Sequence, residues 1–187
     1  MIAPLLRSAF RKDQARSQAE TLYRALAEQA RAPELFSRAG APDTPEGRFD
    51  VLALHVAIAL ERLRAEGPAA DKLTRRLQEV FFESLDGALR EMGVGDLSVG
   101  RKIRGLAEAF YGRYGAYRAG LSEYGDALAS AIARNILSCD HPEKARTLAL
   151  YARAAHEALR NSPVDSLADA VAGWRALSRE IIEADAS

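Results

Sequence analysis

An all-α, single-domain bundle of about seven helices is what the sequence predicts, and three observations predict it. Ala and Leu dominate the 48% of apolar residues while Val and Ile are sparse, which is the composition of helix formers. Apolar positions recur every three or four residues over most of the chain, the spacing that puts them on one helical face. Clusters of Pro, Gly, Asn and Asp interrupt that rhythm at helix-length intervals. A length of 187 residues suits one continuous core.

Taken in order, the first helix is expected from Asp13 to Arg31, with Leu22, Ala25, Leu26 and Ala30 on one stripe and a stop at Pro33 and Gly40-Ala41-Pro42. Asp43 and Glu46, with Pro45 between them, read as a capping box that opens a second helix running to Gly67. Phe49, Leu52, Val56, Leu60 and Leu63 form one seam of this helix while Val51, Leu54 and Ile58 fill another, so it should lie at the centre of the fold. The third, Ala69 to Met92, carries Leu73, Leu77, Phe81, Leu85, Ala88 and Met92 on one face and ends at Gly93 as a left-handed cap. Ser98 is placed to cap the fourth, whose Ile103, Leu106, Phe110, Tyr114, Tyr117 and Leu121 face inward. The fifth should run from Ser122 to Leu137, the sixth should bury Leu148, Ala152, Ala155 and Leu159, and the seventh, from Asp165 to Ala184, should bury Leu167, Val171, Trp174, Leu177 and Ile181.

Charge and composition narrow the function. With 26 basic and 26 acidic side chains the net charge is zero, so there is no general electrostatic pull toward nucleic acid. The longest uncharged stretch, Val51 to Leu60, is far short of the roughly 20 residues that span a bilayer. The apolar start, Met1 to Arg7, is too short for a signal sequence, which makes a cytoplasmic chain the expectation. One cysteine, Cys139, and three scattered histidines do not make a zinc cage.

No catalytic or cofactor-binding motif is found. Gly95 to Lys102 approaches the phosphate-binding loop pattern, but Arg101 and Lys102 replace its Lys and hydroxyl residue and no strand precedes it. Ser98 stands where the third glycine of a dinucleotide fingerprint belongs. His55 lies in an apolar helix, where a lone imidazole reads as a hydrogen-bonded core residue. His141 and His156 belong to no His-Glu-x-x-His pattern, and no serine sits in Gly-x-Ser-x-Gly. The expectation is no enzyme, no metal and no cofactor.

Phe110-Tyr111-Gly112-Arg113-Tyr114-Gly115-Ala116-Tyr117 is the most unusual segment, since each interior helix glycine costs about 1 kcal/mol relative to alanine. One reading is that Gly105, Gly112 and Gly115 admit a neighbouring helix while the aromatics pack the core. The other is that Tyr111 and Arg113, extended by Phe82, form a surface patch for a partner, because Tyr and Arg are enriched at binding hot spots.

Leu52-Ala53-Leu54-His55 followed by Arg62-Leu63-Arg64, then Arg90-Glu91-Met92-Gly93-Val94-Gly95-Asp96, then Phe110 to Tyr117, resemble the ubiquinol-cytochrome c chaperone family in order and spacing, over roughly residues 46–138. The resemblance implies a helical assembly factor for respiratory complex III that binds newly made cytochrome b, and it implies the ribosome and membrane-proximal assembly intermediates as further partners. The lack of a presequence, with Phe and Leu where mitochondrial relatives are richer in Trp, is similar to the bacterial branch, implying a cytoplasmic protein peripheral to the inner membrane. On this reading 46–138 is the chaperone core, 1–12 an N-terminal arm and 143–185 a C-terminal helical pair within one domain, 1–187. The client, an all-helical membrane protein, would be shielded by a groove using Leu52, His55, Phe81, Phe82, Met92, Tyr111, Arg113, Tyr114 and Tyr117. A small helical lipid- or isoprenoid-binding enzyme is one alternative, although no Asp-Asp-x-x-Asp cluster is present to hold magnesium. A scaffold for a soluble partner is the other.

Overall fold

Helix α3, Pro45–Ala65, is buried on every side from Ala53 to Leu63, and the rest of the fold follows from covering it. A sequence apolar on two faces can be satisfied only if helices pack all round it, and α1 (Ala3–Gln29), α4 (Asp71–Glu91), α5 (Asp96–Ser122) and α7 (Arg146–Arg160) do so. The computed structural model describes residues 3–123 and 125–185, with side chains for 14–123 and 125–184. Nine α-helices and no strand occur among the described residues. The remaining helices are α2 (Pro33–Ser37), α6 (Ala127–Asn135), α8 (Leu167–Ala172) and α9 (Trp174–Asp185). The apolar core is continuous from Ala19 to Ile182.

The all-helical class agrees with the sequence, but the count is nine rather than seven. The first helix ends at Gln29, ahead of Pro33, and because a missing N–H costs nothing at the first position of a new turn, Pro33 begins α2. The seventh expected helix is interrupted at Gly173, whose N–H bonds back to Asp169 and Ala170 before Trp174 opens α9. The first helix begins at Ala3 rather than Asp13, so the segment expected as an arm is helical from residue 3, and Met1 and Ile2 lie outside the described residues.

Two caps differ from expectation. The α3 cap is Thr44, whose hydroxyl accepts from the Gly47 N–H at 3.1 Å, while Asp43 instead takes Arg48 at 2.7 Å. Ser98 sits inside α5, which starts at Asp96, and its hydroxyl donates to the Gly95 carbonyl at 2.9 Å. The near-miss phosphate loop is therefore helix for most of its length. Gly93 behaves as read: with φ of 82° it closes α4, its N–H bonding Arg90 and that of Val94 bonding Leu89.

The close approaches lie elsewhere than expected. A Cβ at Gly105, Gly112 or Gly115 would meet nothing within 4 Å, whereas one at Gly120 would lie 2.6 Å from the Leu128 Cα. Gly120 is thus the residue that lets α6 fold tightly back on α5.

Candidate functional site

The α4 stripe is covered at its start and uncovered at its end. Leu73, Leu77 and Phe81 are buried, Leu85 is partly buried, and Ala88 and Met92 are exposed. The same happens on α5, where Phe110 is buried and Leu106 and Ala109 are not. Where these stripes lose their partners, an apolar groove of about 430 Å³ opens between the end of α1, the start of α3, the end of α4 and the first half of α5. Ala27, Ala30, Phe49, Leu52, Leu85, Leu89, Met92, Leu106 and Ala109 give it apolar walls, and Arg31, Glu46, Arg48, Asp50 and Arg113 its polar rim.

One ion pair stands within the groove. The Arg113 guanidinium approaches the Asp50 carboxylate at 3.0 Å and lies 5.7 Å from the centre of the Phe49 ring. Burial outweighs the attraction of Arg113 and pushes the Asp50 carboxyl up to about 6. The Tyr117 hydroxyl is buried without a hydrogen-bond partner among the described residues, and burial and the Asp50 charge raise its pKa.

Of the nine side chains singled out in the sequence, three line the groove: Leu52, Met92 and Arg113. Tyr111 is 48% exposed but is not among the residues that line the groove, its ring 6.1 Å from that of Phe82. Phe82 and Tyr114 are partly buried beside the Phe81 and Phe110 rings. His55, Phe81 and Tyr117 are buried and are not among the side chains that line the groove.

His55 is fixed within a buried polar chain. Its Nδ1 donates to the Val51 carbonyl at 2.7 Å, and its Nε2 accepts from the Tyr151 hydroxyl at 2.8 Å. Gln29 donates to Tyr151 and Ser178, and Ser178 donates to Glu34 at 2.6 Å, so five helices are joined through one set of hydrogen bonds. Burial lowers the His55 pKa to about 4 and keeps the ring neutral.

Sequence reasoning missed Phe49, Asp50, Leu85, Leu106 and Ala109 as groove residues. The signal was present in part: Phe49, Leu85 and Leu106 all sit on apolar stripes, and only the crossing of the helices decides which end of a stripe is left open. Among the described residues no group of three or more His, Cys, Asp or Glu side chains is placed to hold a metal ion, and no helix is long and apolar enough to cross a membrane.

Comparison with known proteins places this architecture. Residues 37–174 match the sequence model of the family described as Ubiquinol-cytochrome C chaperone. The Xenopus laevis protein named ubiquinol-cytochrome-c reductase complex assembly factor 1 is 30% identical over 134 residues, covering 71% of this chain and 67% of that protein. The Homo sapiens protein of that name is 26% identical over 134 residues, 71% of this chain but only 45% of its own length. The chain thus spans two thirds of the frog relative and under half of the human one. The crystal structure of the Cbp3 homolog from Brucella abortus matches with a TM-score of 0.75 and 34% identity, covering 91% of this chain and 94% of that one.

Proposed function

The chain belongs to the ubiquinol-cytochrome C chaperone family, and on that footing we propose that it is an assembly factor for the ubiquinol-cytochrome c reductase complex that holds an apolar segment of newly made cytochrome b in the α1/α3/α4/α5 groove. A family of assembly factors rather than enzymes sets aside the lipid- or isoprenoid-enzyme alternative. The observation that carries the reading is that two amphipathic helices leave the ends of their apolar stripes uncovered by any other part of the described chain. Membrane helices made before their partners expose apolar side chains to water, and each one buried in such a groove contributes about 1.5 to 3 kcal/mol. Met92 on the wall adapts its shape to different side chains. The Arg113–Asp50 pair on the rim can meet the peptide groups or polar side chains that interrupt an apolar segment. Membrane-proximal assembly intermediates, and a ribosome delivering the client, belong to this reading as further partners.

The test fills the groove. Ala109→Trp should keep the helical content and unfolding midpoint near those of the natural protein and lower co-purification of cytochrome b from detergent-solubilised membranes about tenfold or more. Capture at the natural level by a folded A109W protein refutes the groove. Tyr111→Ala is the second arm: loss of capture there, with A109W unaffected, moves the client to the outer face of α5, where Tyr111 stands exposed.

A further inference from the structure

Asp50 of α3 and Arg113 of α5 are both groove residues and both mostly buried, at 13% and 24% exposed. Arg113 Nη2 stands 3.0 Å from Asp50 Oδ1 but is poorly aligned for a hydrogen bond. Asp50 Oδ1 and Arg113 Nε are therefore buried without a hydrogen-bond partner among the described residues. The Tyr117 hydroxyl, close enough to feel both charges, is in the same condition. Three of the four such atoms among the described residues, the other being Trp174 Nε1, thus gather around this pair. Buried polar groups of a folded chain are nearly always paired, so a concentration of unpaired ones beside an open apolar groove marks a place where a bound molecule supplies the partner. The fold itself has no need of the pair, since apolar side chains of similar volume normally hold such a wall as well.

The senses of these atoms choose the partner. Asp50 accepts and Arg113 Nε donates, so a group that answers both must donate and accept at adjacent atoms, which is what a carboxamide does. An imidazole has both functions but on opposite edges of its ring. A carboxylate would meet Asp50, and an ammonium would meet Arg113, with like charge. An aliphatic side chain would seal both atoms in the wall unpaired. We infer that the groove reads its client at this point for one Asn or Gln within an otherwise apolar helical segment, its N–H donating to Asp50 and its carbonyl accepting from Arg113. The inference rests on the groove reading and narrows it: the groove selects among apolar segments rather than taking them all alike.

The experiment uses the full chain at pH 7.5 and two fluorescein-labelled helical peptides of Leu and Ala, with two lysines at each end, that differ only in a central Asn or Leu. Fluorescence anisotropy gives the ratio of their dissociation constants. In the double change Asp50→Leu, Arg113→Met, which makes the wall apolar, the Asn peptide should lose about tenfold or more relative to the Leu peptide, because both of its bonds are gone. Arg113→Lys keeps the charge but removes the Nε donor, and should move the ratio the same way by about threefold or more, so the inference stays testable should the double variant fail to fold. An unchanged ratio in whichever of these variants folds overturns it. Ala109→Trp separates the two readings. If A109W blocks both peptides while the ratio is unmoved by the pair variants, the carboxamide site fails and the groove stands; if A109W weakens neither peptide, or neither binds the natural chain, the groove and this site fall together.

Discussion

At the scale of single residues, two titratable groups pull stability in opposite directions. His55 is neutral in the fold with a pKa of about 4 against 6.5 when unfolded, so the stability it contributes is complete above 6.5 and is lost as pH falls toward 4. Asp50 has its folded pKa raised from 3.8 to about 6, so its carboxyl favours the fold below 3.8 and that contribution is lost as pH rises through 6. At about pH 5 the His55 effect is on the order of 2 kcal/mol, partly offset by Asp50. Urea unfolding at about pH 7 and pH 5 checks this: Asp50→Asn should steepen the loss of stability on acidification, and His55→Gln should flatten or reverse it. The sequence marked His55 as a core histidine, and so it is. That Tyr151 would be its partner was not readable, because 96 residues separate them and only the packing of α7 on α3 brings them to 2.8 Å.

At the scale of helices, α5 carries glycines of two kinds that a sequence cannot tell apart. Gly112 is exposed and a Cβ there meets nothing within 4 Å, so Gly112→Ala should stabilise the protein by about 1 kcal/mol through helix propensity. Gly120 faces the Leu128 backbone at 2.6 Å, so Gly120→Ala must push α6 away and should destabilise by about 1 to 3 kcal/mol. Thermal or urea midpoints of the two variants should move in opposite directions, and equal shifts would discard this account of the α5–α6 corner. The ends of α3 and α4 were legible because Pro45 and Gly93 act locally, whereas α1 begins at Ala3 rather than Asp13 and α6 at Ala127 rather than Ser122. The splitting at Pro33 and Gly173 was less legible, since either residue can end a helix or begin one.

At the scale of the molecule, helices distant in sequence close the core. α1 packs on α4 and α8, α2 on α9, and α7 on α9. Arg62, buried in α3, donates to the Leu159 and Ser162 carbonyls at 2.9 and 3.1 Å and so ties the centre to the end of α7. Residues 37–174 match the family, yet Ala19, Leu22, Leu26 and Ile182 outside that span belong to the same core. A chain cut to 37–174 should therefore lose cooperative unfolding, as read by circular dichroism in urea. A sharp transition near the natural midpoint would show that α1 and α9 are dispensable wrappings.

By itself the sequence determined the helical class, the central place of α3 and the Gly93 cap, because each depends on residues within a few turns of one another, and it carried the family resemblance in the order and spacing of short segments over roughly residues 46–138. Only the tertiary structure decided that Leu85 and Leu106 on the inward stripes are left partly open and that Met92 is exposed. An apolar stripe says that a face must be covered, but not by what or for how much of its length. That is set by where neighbouring helices cross, and the uncovered remainder is the groove.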